Sequence, residues 1–468
     1  MLRFATLSNQ SFWLDEAIAI NAARHDLGGM IDALAHTEGN PPFYFGLLNG
    51  WMRVFGSSEA GARSLSALIG TATILVAYLI GRRLAPPRVG LVLAALVAFN
   101  PLLVWFSQEA RPYALLVLLS GLSFLLFADA LDRPSGRRLF GWAVASGLAL
   151  ATHYFAGLLI LPEALWLLHR VRPRRDVLLA IAGFAMVPLA LIPLVTAQGQ
   201  VQDYSFVKGE SLLTRVFAQV PKQWLVGYDA PAETLVVIVV SAVSALALWL
   251  AWKRAEGRER SAARLGVAMG LVTIAIAFVL ALLGGDYYLS RYLLAAWLPL
   301  ALVLAAGLGA RRGGRLGVAG AVALCALFAF VVISVDSRPE LQRDNWRGVA
   351  KALGAAPPGG RVLVVSPING RIPLKLYMPD LIPVGEGATV QEADAVAVAP
   401  RIAGDTRAAP PVPRPDLPPG FREVARHQGP TYTVVRYRTE TPTAVGPALL
   451  GSIALLGGTP DYVMQPAP

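Results

Sequence analysis

Charge is what this sequence has least of. Asp, Glu, Lys and Arg make up 15% of its 468 residues, while 55% are hydrophobic. A water-soluble domain of that length carries about a quarter charged residues, so an ordinary soluble fold is excluded. Cysteine is almost absent: the lone Cys325 excludes an intramolecular disulfide and has an apolar, span-embedded setting. There are five histidines. No zinc-ligand spacing, Walker loop or GxGxxG turn occurs, which removes the commonest motif-borne routes to metal and nucleotide chemistry.

What is present is a succession of apolar runs, at about 62–81, 89–106, 112–130, 139–152, 154–169, 177–195, 234–252, 264–284, 292–310 and 315–334. Most approach the ~20 residues that a bilayer core requires, and 139–152 and 154–169 are short. The net charge of +11 would suit nucleic acid, but its distribution argues against a nucleic-acid partner. The basic residues concentrate in alternate short loops, "GRRLAPPR", "DRPSGRR", "HRVRPRRD", "WKRAEGRERSAAR" and "ARRGGR". By the positive-inside rule these loops are cytoplasmic. The other loops then face outward: "SQEARPY", "THYF", the long 196–233 segment, "GGDYYLSR" and everything after about residue 335.

The expected fold class is an all-α polytopic membrane bundle with outward juxtamembrane helices and a small C-terminal α/β domain outside the membrane. Three parts follow. Residues 1–61 form an outward segment with amphipathic helices at about 15–36 and 43–55, broken by "EGNPP". Residues 62–334 form a bundle of about ten helices, and 335–468 an extracytoplasmic domain and tail. Nothing in the sequence precedes 1–61 to carry it outward, and "MLRFATL" reads as the end of a hydrophobic helix. A first transmembrane helix upstream of Met1 is the expectation, unaided translocation of a short N-terminus the alternative. The 196–233 loop carries Tyr204, Lys208, Arg215, Lys222, Trp224 and Tyr228. It is expected to hold a short helix near 211–225, as a lid or a plain connector. In the C-terminal part "DNWRGVAKALG" reads as a helix, "RVLVVSP" and "DAVAVAP" as buried strands, and "FREVARHQGPTYTVVRYR" as a hairpin, with the Pro-rich "APPVPRPDLPPG" between.

The polar residues of the outward loops can converge at one membrane surface. Ionisable groups at span ends are functional candidates, against a plain alternative of headgroup anchoring by Tyr and Arg. Asp15 and Glu16 are adjacent, so on a helix they point about 100° apart. One can face a reacting hydroxyl as general base while the other makes a structural contact; a helix-start charge is the other reading. Arg111 and Arg291 offer forks suited to phosphate. Glu109 is placed to orient Arg111 or to bind a metal. His153 can donate to a phosphate, ligate a metal or be structural. Glu38, Asn40, Tyr113 and Asp286 complete the candidate set. His36 with Glu38 suggests a metal site whose spacing is not diagnostic. No cofactor is required by these motifs, and a divalent metal stays open.

Five stretches taken in order, "SFWLDEA", "GNPPFYFGLLNGWMRVFG", "EAGARSLSALIGTATILVAYLIGRRL", "NPLLVWFSQEARPYALLVLLS" and "ATHYFAGLLIL", resemble bacterial membrane glycosyltransferases of family 39. That family belongs to the GT-C superfamily and is related to protein O-mannosyltransferases and the aminoarabinose transferase of lipid A. The resemblance covers about residues 8–310, and "DNWRGVAKAL" also fits. It implies transfer of a sugar from a polyprenyl-phosphate donor to a lipid, glycan or protein acceptor on the outer face of the inner (plasma) membrane. It implies Asp15 as catalytic base with Glu16 as companion acid, and Arg111 as holder of the donor phosphate. A direct displacement would invert the anomeric centre. Two departures stand out: the family's usual first helix is absent, and its "HPP" or "KPP" reads "NPP" here, placing Asn40 where a cation is usual. The rival readings are a polyprenol-lipid or polysaccharide transporter, which would carry mid-span polar residues and broken helices, and an O-antigen-ligase-like enzyme with a diphosphate donor.

Overall fold

The computed structural model describes residues 2–201, 207, 209–384, 388–398, 417, 420–446, 450–456 and 459–467. Tyr204, Lys208 and most of the Pro-rich connection lie outside the described residues. The chain divides into two compact units, residues 1–7 with 19–334, and residues 8–18 with 335–468.

In the first unit helices cover all ten apolar runs. Among the described residues six are long and apolar enough to cross a membrane: Glu59–Leu84, Tyr113–Asp132, Arg174–Gln200, Glu233–Lys253, Gly257–Leu282 and Arg311–Ser337. One further pair, Pro87–Phe99 and Pro101–Ser107, is long and apolar enough only when taken together and is bent by 60°, the form of a broken span or a re-entrant loop. Gly136–Thr152, Gly157–Arg170 and Leu294–Leu308 are shorter. The segment expected as one helix at 15–36 is two, Leu14–Ala23 and Leu27–Thr37. The reason is Asp26, whose carboxylate caps Gly29 N at 2.8 Å and starts a new helix. Residues 2–9 form successive turns, not the regular helix end read from "MLRFATL".

The bent pair follows from its sequence. Pro101 cannot extend the preceding helix, and Asn100 caps the next one by accepting from Leu103 N at 3.1 Å. Carbonyls freed at the break need donors. Arg3 supplies them, donating to Val97 O at 2.6 Å, Ala98 O at 2.9 Å and Ser107 Oγ at 3.0 Å. Gln108 donates in turn to Leu2 O and Thr6 Oγ1. At the other end of the first helix of the pair, Gly90 lets two backbones touch: a Cβ there would lie 2.7 Å from Tyr78 O.

The long loop carries a continuous helical run, Leu212–Val226, with a π segment at Arg215–Gln219. It is tied down by Arg215, which grips both carboxylate oxygens of Asp286 and donates to Tyr288 O at 3.0 Å. Trp224 Nε1 donates to Ser290 O at 3.1 Å, and Asn100 Nδ2 to Trp224 O at 2.8 Å.

The second unit is a six-stranded sheet in the order β2-β6-β1-β3-β5-β4. Its strands are β1 Arg361–Ser366, β2 Ile382–Pro383, β3 Thr389–Val398, β4 Arg422–Gln428, β5 Tyr432–Ala444 and β6 Asp461–Gln465. β1 and β3 are parallel and the other pairs antiparallel. Every residue of β1 is buried because both faces are covered. Leu363 and Val365 face Trp346, Val349, Leu353 and Leu374 of helices Trp346–Leu353 and Arg371–Tyr377. Val362 and Val364, one residue out of phase, face Leu450, Ile453 and Leu455. Leu450, Ile453 and Leu455, from the C-terminal part of the chain, are therefore core, and β6 beyond them was not legible as a strand. Arg361 is fully buried, and its guanidinium donates to Gln465, Glu392, Asp394 and the carbonyls of Leu353, Gly354 and Ala355. It joins β1, β3, β6 and the end of one helix.

Residues 8–18 pack with this unit. Ser11 Oγ donates to Asp344 O at 2.5 Å and accepts from Trp346 N at 2.9 Å. Tyr377 Oη accepts from Phe12 N at 2.7 Å, and Arg347 donates to the carbonyls of Ser8 and Asn9.

Candidate functional site

Asp15 and Glu16 occupy the first turn of helix Leu14–Ala23. Glu16 is fully buried and Asp15 partly exposed, the divided orientation expected of helical neighbours. Both belong to the unit formed by residues 8–18 and 335–468.

The remaining candidates lie in the other unit, and several meet. Arg111 closes its fork on Glu38: Nη2 donates to Oε1 at 3.1 Å and Nη1 to Oε2, with both side chains nearly buried. Glu38 Oε1 also accepts from Asn40 Nδ2 at 2.7 Å and Gly39 N at 2.9 Å. Asn40 thus orients a carboxylate. Glu109 accepts from Trp105 Nε1 at 2.8 Å.

From Arg111 a line of rings leads to Arg291. The Arg111 guanidinium stands 5.8 Å from the Tyr113 ring, and that ring 6.0 Å from the His153 imidazole. His153 lies 5.9 Å from Tyr292, over which Arg291 sits at 5.1 Å. Phe155 stacks on Tyr292 at 4.7 Å. Two cations thus flank one imidazole across two tyrosines. Each guanidinium is in cation–π contact with its own tyrosine.

His153 ends helix Gly136–Thr152 at the turn before helix Gly157–Arg170 and is buried. Its Nδ1 accepts from Phe155 N at 3.3 Å, which leaves the proton of the neutral ring on Nε2. Nε2 is buried and has no hydrogen-bond partner among the described residues. Burial, then the charges of Arg111 and Arg291, push the imidazole pKa down to about 3. The ring is a neutral donor beside two positive charges, and an anion is the ligand that this set accepts.

Gln198 was missed in the sequence. It donates to Leu34 O at 3.2 Å and Asn40 O at 3.1 Å and accepts from Tyr154 Oη at 2.9 Å, so it joins the Glu38 loop to the His153 turn. The one clue was its place in a polar "TAQGQ" at the end of an apolar helix. Two candidates have partners of another kind. Asp286 holds Arg215 and so anchors the 212–226 run. His36 turns to Asp32, its Nδ1 2.8 Å from Asp32 O, while Glu38 turns inward to Arg111, so the two do not form a metal pair. Among the described residues no three His, Cys, Asp or Glu side chains come together to hold a metal.

An apolar cavity of ≈ 510 Å³ lies under the 212–226 run, lined among others by Phe217, Trp224, Leu271, Tyr288, Trp297 and Leu304. Tyr288 is three residues from Arg291, and Phe106, which touches Tyr113, also meets Tyr228 at 6.0 Å.

Residues 39–197, which carry Glu38's neighbours, Arg111, Tyr113 and His153, match the family model described as dolichyl-phosphate-mannose-protein mannosyltransferase. Over these residues the chain is similar to that family of membrane glycosyltransferases. Its fold is similar to that of ArnT from Cupriavidus metallidurans bound to undecaprenyl phosphate, at 14% identity and a TM-score of 0.56, covering 93% of this chain and 96% of that one. The apo state of that ArnT matches at 16% identity and a TM-score of 0.43, over 93% and 95%. The oligosaccharyltransferase AglB from Archaeoglobus fulgidus, in complex with an inhibitory peptide and a dolichol-phosphate, matches at 14% and 0.41, over 74% and 54%. No curated protein matches the chain.

Proposed function

We propose that this protein transfers a sugar from a polyprenyl-phosphate donor to an acceptor at the outer face of the membrane, with inversion. The observation that carries the reading is the His153 Nε2, buried and unpartnered between two arginine-faced tyrosines. Such a set offers a departing phosphate one neutral N–H donor and two guanidinium forks. Glu38 holds the fork of Arg111 in the resting state, and the phosphate displaces or shares that contact. The apolar cavity beside Tyr288 suits an isoprenoid chain. Asp15 is the base that deprotonates the acceptor, supported by the family motif "SFWLDEA". The alternation of basic loops supports the outward orientation.

The reading is tested by mass analysis of lipid-linked sugars and envelope glycans in a deletion strain. A polyprenyl-phosphate sugar should accumulate and one glycan should lose a residue; unchanged pools and glycans would refute it. The face is tested separately. A cysteine at the exposed Glu440, with Cys325 removed, should be labelled from outside intact cells; labelling only after lysis reverses the topology.

A further inference from the structure

Glu163 stands inside the apolar helix Gly157–Arg170 and is fully buried. An acid in such a place is expected to have a use and a partner. Its Oε2 accepts from Ser123 Oγ at 2.5 Å and from Trp142 Nε1 at 2.8 Å, and Ser123 Oγ lies 3.0 Å from Ser146 Oγ. Its Oε1 has no hydrogen-bond partner among the described residues. The groups acting on it are Ser123 and Trp142, with no cation among them.

These four side chains come from three helices: Tyr113–Asp132, Gly136–Thr152 and Gly157–Arg170. The same three helices deliver the ring cluster. Tyr113 begins the first, His153 ends the second, and Phe155 precedes the third. At 1.5 Å per residue, Ser123 is about 15 Å from Tyr113, Ser146 about 10 Å from His153, and Glu163 about 12 Å from Phe155. The polar node therefore lies at one depth beneath all three rings. Apolar side chains between helices tolerate axial slip and rotation, whereas hydrogen bonds fix both.

We infer that Glu163 is a positioning residue: it sets the depth and rotation of the three helices so that Tyr113, His153 and Phe155 assemble the anion site. This rests on the donor-phosphate reading for its use, though not for its geometry.

The test uses the full-length purified chain and three variants, Glu163→Gln, Glu163→Leu and Ser123→Ala, with two readouts. The first is affinity for undecaprenyl phosphate. Losing two interhelical hydrogen bonds should weaken it about tenfold in Glu163→Leu, and losing one about threefold in Ser123→Ala. Glu163→Gln, whose side-chain oxygen still accepts both donors, should bind like wild type. The second readout needs no ligand: modification of His153 by diethyl pyrocarbonate, located by mass spectrometry. His153 should stay protected in wild type and Glu163→Gln and become reactive in Glu163→Leu. A folded Glu163→Leu with a protected His153 and wild-type affinity would overturn the inference. If Glu163→Leu fails to fold, Ser123→Ala with both readouts unchanged would do so. If wild type does not bind the lipid, the proposed function fails and His153 reactivity alone decides the inference.

Discussion

Replacing Glu38 by Gln should weaken the fold and at the same time strengthen anion binding. In the wild-type chain Glu38 receives Gly39 N at 2.9 Å, Asn40 Nδ2 at 2.7 Å and both terminal nitrogens of Arg111. Gln keeps one oxygen for part of that set. It turns the other into an NH₂ group facing a guanidinium, and it removes a negative charge from beside Arg111, whose side chain is 4% exposed. Removing one partner of a buried pair costs about 3–5 kcal/mol, so denaturant titration in micelles should show a loss of that order. A bound phosphate then supplies the missing negative charge. Ligand at 100 times its dissociation constant stabilises by about 2.7 kcal/mol, and a tenfold tighter variant would gain about 1.4 kcal/mol more at the same concentration. The assay is the same titration with and without undecaprenyl phosphate. A loss below about 1 kcal/mol, within the range of exposed pairs, or an equal ligand effect in both proteins, would refute the view that Glu38 occupies the place of a phosphate.

Other consequences are checked more briefly. Arg361→Met should destabilise the sheet unit by about 3–5 kcal/mol, because Glu392 and Asp394 lose a buried cation; proteolysis of the C-terminal part should accelerate. Burial holds the His153 pKa in the folded chain near 3, below the ordinary imidazole value of about 6.5, so the unfolded chain binds the proton first. Stability should be level above about pH 6.5 and fall as pH drops from there toward 3; His153→Phe should abolish that part of the slope, and parallel pH curves would contradict it. Gly90→Leu should impair insertion or folding, since its side chain has no room beside Tyr78 O and Arg82 N; normal yield and thermal stability would show that the two helices can part there.

Much of the molecule was legible from its sequence because lipid leaves few options. Helices cover each apolar run, and the run at 212–226 lies where "SLLTRVFAQVPKQWLV" predicts it. The strands around "RVLVVS" and "DAVAV" are read from period-free apolar runs, which fits burial on both faces. Other features were hidden for physical reasons. Asp26 breaks a helix that periodicity alone would continue. The pairing of Glu38 with Arg111 spans 73 residues, so no local pattern announces it. β6 pairs with β1 across a long interval and is short. Glu163 is a single acid in an apolar run, and nothing beside it in the sequence marks its partners. It and the 60° break at Asn100 are features that the transporter reading required. Both have protein partners, Arg3 and Asn100 at the break, and Ser123 and Trp142 at the Oε2 of the acid.

The most direct test of the proposed reaction is transfer of labelled sugar from a synthetic polyprenyl-phosphate donor by the purified chain, wild type against Asp15→Asn. Asn is nearly isosteric with Asp but cannot take the acceptor's proton. A missing general base costs about 10²–10⁴-fold in rate. The account predicts transfer by wild type with inverted anomeric configuration, and a loss of that size in Asp15→Asn while undecaprenyl phosphate still binds. No transfer by wild type with any polyprenyl-phosphate sugar, or near-normal turnover in Asp15→Asn, would contradict it.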